Sequence, residues 1–394
     1  MFIESLSLAD FRNFSRQELK FSRGINIFTG DNAQGKTNLL EAMSLCSTGR
    51  SFRGAKDRDL IRFGCTEGHI KLTGEKKDIP YRIDIHLRKY GNKGIAVNSV
   101  PIRKISELYG LLHIVFFCPD DLQLVKSGPS ERRKYLDMEM GSLDRGYLKD
   151  LIAYHRCLDQ RNALLKTIGF DGRIPDTLDV WDKQLAEAGT RIIRARRRFV
   201  KDLSPVIQEI HAKISGGKEE LYTDYDPDVS EENFSSRLRE NRERDLKFRT
   251  TGVGPHRDDL VFSVVSVSGG NSSSRTDLRE FGSQGQQRTA ALSAKMAEIE
   301  MIRKFAGESP VLLLDDVLSE LDERRQKSLL NEIRDTQTMI TCTGLDDLIR
   351  SRLHMDRIFL VRAGTAAEAP EIPEGTEPEG DLTERKAETE DSNE

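Results

Sequence analysis

The residues best able to do phosphate chemistry are one lysine, two neighbouring carboxylates and one serine, widely separated in the chain. The run Gly30-Asp31-Asn32-Ala33-Gln34-Gly35-Lys36-Thr37 fits the pattern GxxxxGK[ST]. Backbone N–H groups of such a turn, with the positive end of a following helix, surround phosphate oxygens. The Lys36 ammonium adds a mobile point charge, and the Thr37 hydroxyl is a ligand for Mg²⁺. A nucleoside triphosphate, ATP or GTP, is therefore the expected ligand. Asn92-Lys93 is followed by Ile95 where the guanine-reading NKxD pattern needs an acid, so nothing selects GTP.

A second element is Pro310-Val311-Leu312-Leu313-Leu314-Asp315-Asp316, an apolar strand ending in two acids, the form of a Walker B motif. Asp315 is expected to share Mg²⁺ with Thr37, directly or through water. Asp316 is placed to orient or deprotonate an attacking water. The third element is Ser283-Gln284-Gly285-Gln286, where a hydroxyl, a bare backbone and helix N–H groups at a helix start meet an anion.

These residues need strands and helices to hold them. Ile25–Thr29 alternates as a strand before the glycine turn, and Asn38–Met43 suits a helix after it. Phe2–Leu8 reads as an edge strand. Several strands are expected between 68 and 118, Ile114–Phe117 among them, in antiparallel pairing with one wet face. The last strand is expected at Arg357–Val361, and a Gly-Ser hairpin at 268 to 274.

From Ser130 the pattern turns helical. Tyr147, Leu151, Tyr154, Leu158 and Leu165 form one heptad seam, and Trp181, Leu185, Ala188, Ile192, Ala195 and Phe199 another. Joined by an 11-residue loop from Thr167 to Thr177, two such helices predict an antiparallel hairpin of roughly 30 Å. Arg191, Arg194, Arg198 and Lys201 share one face of the second helix, a stripe suited to phosphate backbones or simply to water. Residues 218 to 248 read as short helices and linker. A second basic stretch, Arg50 to Arg58 with Arg53 at its centre, follows the glycine-turn helix and suits phosphates of either ATP or DNA.

The 394 residues allow two units and a tail. The net charge of −4 divides into +5 over residues 1 to 362 and −9 from Ala363 onward. A mildly basic body permits nucleic-acid binding without demanding it. The Pro-Glu-Thr-rich segment 363–394 is expected to be disordered. No 18-residue apolar stretch and no leader pattern occur, which places the chain in the cytoplasm. Five scattered cysteines without a CxxC pair argue against a disulfide framework or a zinc site.

Lys36 and Asp315 lie 279 residues apart with a heptad hairpin between them, a layout similar to ABC-type ATPase heads of the SMC group. The fuller resemblance is to the RecF family of bacterial recombinational repair proteins. It rests on FRNF at 11–14, GDNAQGKTNLLEA at 30–42, GRSFR at 49–53, PDDLQLVKSGPSERRKYLD at 119–137, YHRCLDQRNALLK at 154–166, GPHRDD at 254–259, FGSQGQQRT at 281–289 and LLLDDVLSELD at 312–322. The resemblance implies an α/β fold, a P-loop ATPase head split by a short helical arm. Its units would be an N-terminal head half at 1–128, an arm at 129–247, a C-terminal head half at 248–362 and the acidic tail at 363–394. It further implies ATP-dependent DNA binding at Arg53, Arg194, Arg198 and Lys201, and a slow ATPase acting as a switch. It implies an ATP-dependent homodimer in which Ser283, Gly285 and Gln286 meet the γ-phosphate on the partner's P-loop. RecO and RecR would be its partners in placing RecA at gapped DNA, in support of the SOS response. The position after the Walker B acid is Asp316 where most ABC proteins have Glu, and no His follows Met339–Cys342, leaving Thr343 or a neighbour as switch residue. A transporter ATPase would instead need a short insertion docking a membrane subunit, and an architectural SMC protein a longer arm.

Overall fold

The computed structural model describes residues 1–167, 177–266, 275–333, 335–343 and 355–369. Ile25–Thr29 lies inside a six-stranded sheet whose order is Thr365–Glu368, Arg357–Arg362, Ile25–Thr29, Thr338–Cys342, Val311–Asp315 and Ile114–Phe117. All its pairings are parallel except the outermost hairpin. Every residue of Val311–Asp315 and Thr338–Cys342 is buried, as expected for parallel strands covered on both faces. Because the strands run together, Thr29, Asp315 and Thr341 arrive at the same edge, where ligands of open α/β sheets bind.

A second six-stranded sheet is antiparallel and ordered Phe14–Lys20, Phe2–Phe11, Glu67–Lys76, Ile79–Arg88, Gly94–Val97 and Val100–Pro101. Alternation along Glu67–Lys76 buries Gly68, Ile70, Leu72 and Gly74 and turns their neighbours outward. The helix Lys36–Thr48 lies between the two sheets. Its Leu39, Leu40 and Met43 share one core with Leu6, Phe14, Leu72 and Ile83 on one side and Phe28, Leu313 and Met339 on the other.

The remaining core joins the sheet's opposite face to the helices Pro129–Leu143, Arg145–Thr167, Thr177–Ser215 and Gln284–Ala306 and to a three-stranded sheet of Thr276–Asp277, Asp259–Ser266 and Glu219–Asp226. The heptad positions Tyr147, Tyr154, Leu158, Leu165, Leu185, Ala188, Ile192 and Phe199 are buried in it.

Five expectations need correction. Phe2–Phe11, expected as an edge strand, is paired on both sides, with Phe14–Lys20 and Glu67–Lys76, because the chain turns back at Arg12-Asn13 to supply the edge itself. Ile114–Phe117 leaves the antiparallel sheet and pairs in parallel with Val311–Leu314, because its apolar run suits a covered strand. The second heptad helix does not stop after three heptads but continues through Pro205 to Ser215. Pro205 and Lys201, whose carbonyl loses its partner, are both exposed, which lets water reach the carbonyl left without a bond. Glu219–Asp226, expected as linker, is a strand paired with Asp259–Ser266. The tail begins too late for Arg357–Arg362 to be the last strand: Thr365–Glu368 folds back on it across the two-residue turn Ala363-Gly364, both with positive φ (45° and 74°). The 268–274 hairpin, most of the 167–177 loop and residues 370–394 of the tail lie outside the described residues.

Candidate nucleotide site

The glycine turn is held in shape by its neighbours. Gly30 (φ 152°) sits so close to Val361 that a Cβ would meet its carbonyl oxygen at 2.3 Å, and at Gly35 (φ 115°) a Cβ would meet the Asn13 side chain at 2.6 Å. Asn13 Nδ2 donates to the Gln34 carbonyl at 2.7 Å, and its Oδ1 accepts from Asn38 at 2.9 Å. On the other flank Ala363 N donates to Gln34 Oε1 at 2.6 Å. Turns from both ends of the sequence thus clamp the loop.

Lys36, the first residue of its helix, is 4% exposed and donates to the carbonyls of Gly30 at 2.6 Å and Asp31 at 3.0 Å. The ammonium therefore spans the loop mouth from its own wall. Thr37 Oγ1 donates to Asp315 Oδ1 at 2.8 Å, and Thr341 Oγ1 donates to the same oxygen at 2.8 Å. Residues separated by most of the chain meet there, Thr341 among them without having been expected. Burial pushes the Asp315 carboxyl above the usual carboxylate range, while the bonds from Thr37 and Thr341 pull it back. A buried carboxylate beside a hydroxyl is a hard oxygen pair that fits Mg²⁺.

Asp316 follows in left-handed conformation (φ 52°), its N–H bonded to Thr341 Oγ1 at 3.0 Å. This strained turn lifts its partly exposed carboxylate out of the strand direction, and among the described residues that carboxylate makes no hydrogen bond or ion pair.

Arg53 lies at this site. Its Nη1 donates to Asn38 Oδ1 at 3.2 Å, and its charge favours the ionised form of Asp315. Sequence reasoning missed the residues that bring it there. Arg12 forms a two-pronged pair with the fully buried Glu41, both contacts 2.8 Å, and Ser51 Oγ donates to the same carboxylate at 2.5 Å. The only sequence signal was that Arg12, Glu41 and Ser51 each fall in a motif.

Ser283 caps the helix Gln284–Ala306: its Oγ accepts from Gln286 N at 3.2 Å, and Gln286 Oε1 accepts from Ser283 N at 2.9 Å. Ser283 and Gly285 are exposed, and a Cβ at Gly285 would meet little. Gln286 Nε2 donates to Glu219 Oε1 at 2.6 Å, and Arg325 donates to the Gly285 carbonyl at 2.9 Å. None of these bonds leads to the glycine turn.

The basic arm stripe is exposed, yet Arg191 pairs with Asp150 at 2.9 Å and Arg194 with Glu231 at 3.3 Å, whereas Arg198 and Lys201 make no ion pair among the described residues. Arg196, on the same helix, is buried. It bonds Asp137 at 2.7 Å, Asp258 at 2.9 Å and the Pro255 carbonyl at 2.7 Å, which ties the GPHRDD stretch to the arm. Among the described residues no helix is long and apolar enough to cross a membrane.

The family described as RecF/RecN/SMC N terminal domain matches residues 2–365. A DNA replication and repair protein RecF from Agathobacter rectalis is 51% identical over 364 residues, 92% of this chain and 98% of that one. A solved structure of the recombination mediator protein RecF with ATPrS, of the RecFOR pathway, is 36% identical with a TM-score of 0.85 over 94% of this chain and 98% of its own. The Smc head domain from Pyrococcus furiosus shares the fold at a TM-score of 0.55 and 18% identity. With a match running nearly end to end and half of its residues shared with such a relative, the chain belongs to the RecF family of DNA replication and repair proteins.

Proposed function

We propose that the chain is an ATP-governed DNA-binding switch of recombinational repair in the cytoplasm. The observation that carries this reading is the meeting of Thr37, Asp315 and Thr341 at one carboxylate oxygen beside the clamped glycine turn. ATP is bound by the loop amides from Gly30 to Thr37, with Lys36 released from its own carbonyls toward the β- and γ-phosphates. Thr37 and Asp315 would hold Mg²⁺, which would supply charge neutralisation at the phosphates. Arg53 faces the phosphates rather than DNA, since it hangs from the glycine-turn helix at Asn38.

Ser283, Gly285 and Gln286 complete the site of a second copy, so a symmetric dimer encloses two ATP molecules. Asp316 orients the water in line with the γ-phosphate. Its side chain is one methylene shorter than Glu, so turnover is slow and the ATP dimer persists on DNA. Hydrolysis breaks the shared γ-phosphate contacts and releases the dimer. While closed on gapped DNA, it assists RecO- and RecR-type mediators in placing RecA and so supports the SOS response.

The test is DNA affinity measured across a salt series with ATP, with ADP and without nucleotide, alongside sedimentation. Tighter DNA binding and a dimer in ATP alone are expected. Equal affinity and one sedimentation coefficient in all three states would overturn the reading.

A further inference from the structure

Far along the chain from the nucleotide site, the short helix Arg242–Phe248 presents an aromatic ring to water. Phe248 is 62% exposed. Arg244 and Lys247 hold their cationic groups 5.9 Å from its ring centroid, and Arg249 follows in left-handed conformation (φ 54°). Arg244, Lys247 and Arg249 are exposed and make no ion pair among the described residues. A single exposed phenylalanine needs no explanation, but one flanked by two unpaired cations, with a third next in the chain, is costly to keep by chance: the cations repel one another and the ring stays wet.

The platform is also rigidly mounted. Asp245, on the same helix, is 1% exposed and accepts from Arg161 at 2.7 Å and from Gly252 N at 2.9 Å. Arg161, fully buried, bonds Asp182 at 2.6 Å and Thr251 at 2.8 Å, while Arg242 donates to Asp182 at 2.8 Å. Arg161 lies near the end of one hairpin helix and Asp182 near the start of the next, so this buried network fixes the exposed ring to the outer part of the arm. That is away from the half of the long helix that meets the helix carrying Ser283, where Asp202 pairs with Lys304.

We propose that Phe248, Arg244, Lys247 and Arg249 form a binding site for single-stranded DNA, in which an unpaired base stacks on the ring and the cations take the adjoining phosphates. Every base offers a π-face, and stacking with flanking cations is the chemistry by which single strands are held without sequence preference. A duplex keeps its bases stacked inside and gives the ring no partner. This site rests on the DNA-binding reading and deepens it: the arm distinguishes the single-stranded portion of a gap from its duplex flank.

The full chain with ATP is titrated with a fluorescent 30-nucleotide oligo-dT and with a 30-base-pair duplex. Phe248→Ala is expected to weaken the single strand about 5- to 100-fold and leave the duplex within about twofold. Phe248→Trp should restore the single strand, and an unchanged melting temperature shows that the fold is intact. Arg244→Gln with Lys247→Gln should lower the salt slope on the single strand by about 1.4 units. An unchanged oligo-dT affinity in Phe248→Ala, beside normal ATP-dependent DNA binding by the wild type, overturns the stacking site alone. Equal losses on both DNAs, or poly-glutamate competing as well as oligo-dT, overturn it too. A wild type that binds neither DNA overturns the DNA reading and this site with it.

Discussion

The proposed function gives two surfaces of the molecule a part in binding one triphosphate, and they differ in how finished they are. At the glycine turn, key side chains are already bonded within the chain: Lys36 to loop carbonyls, Thr37 to Asp315, Asn13 to Gln34. At the Ser283 helix start the serine caps its own helix, and Ser283 and Gly285 stand in solvent. The first is a preorganised receptor whose binding energy is not spent on ordering loops. The second is an exposed capped helix start whose bonds stay local, to its own first turn and to Glu219, and in the proposed dimer it is half a site. Under the proposed function, a chain built this way separates nucleotide capture, which one copy performs, from assembly, which needs two.

Variants can break or sharpen that distinction. The largest effect is expected at Asp316. Asp316→Asn should lower single-turnover ATP hydrolysis by about 10²- to 10⁴-fold while leaving ATP binding and dimerisation in place, and the variant should remain on DNA longer than wild type. Hydrolysis at the wild-type rate would assign the water to another residue. Lys36→Ala should weaken ATP by roughly 100-fold, the worth of a charge-assisted contact, as read by nucleotide titration of a single copy. An unchanged affinity there would remove the glycine turn from the site. Ser283→Arg should bind ATP within about twofold of wild type yet dimerise some 30- to 150-fold less well, from about 2–3 kcal/mol of crowding and misplaced charge; sedimentation in ATP reads this. Were Ser283→Arg to lose ATP affinity as Lys36→Ala does, the two surfaces would be one site. The smallest effect belongs to the arm. Neutralising Arg198 or Lys201 should each reduce the salt slope of DNA binding by about one unit, whereas neutralising Arg191 or Arg194, already paired with acids, should reduce it less.

What could be read in the sequence was whatever is local. The glycine turn between a strand and a helix, the apolar run before Asp315, and the heptad seams each carry their pattern within about twenty residues. Glu219–Asp226 was illegible because it is acidic and only Leu221 and Thr223 of it are buried, its meaning supplied by a partner strand some forty residues on. Ile114–Phe117 shows strand character but not which sheet it joins, since its neighbour Val311–Leu314 is nearly 200 residues away. Pro205 reads as a stop, and only its exposure shows why the helix tolerates it. The same holds for charge. Arg196 and Arg198 look alike in sequence, yet one is buried against Asp137 and Asp258 and the other faces water. Whether Asp315 reaches Thr37 depended on the parallel sheet, and here spacing together with motif form sufficed.

The strand Ile25–Thr29 has Thr338–Cys342 on one side and Arg357–Arg362 on the other. Neither neighbour exists until the ribosome has added more than 300 residues beyond it. At about 5–20 residues per second, the apolar backbone leading into the glycine turn waits roughly 15 to 65 s with both edges bare. A nascent chain cannot hold ATP during that interval, and it carries an unpaired hydrophobic strand of the kind that seeks other chains. The nucleotide loop thus gains its flanking strands only after residues 338–362 are made, and until then the newborn N-terminal strand benefits from shielding.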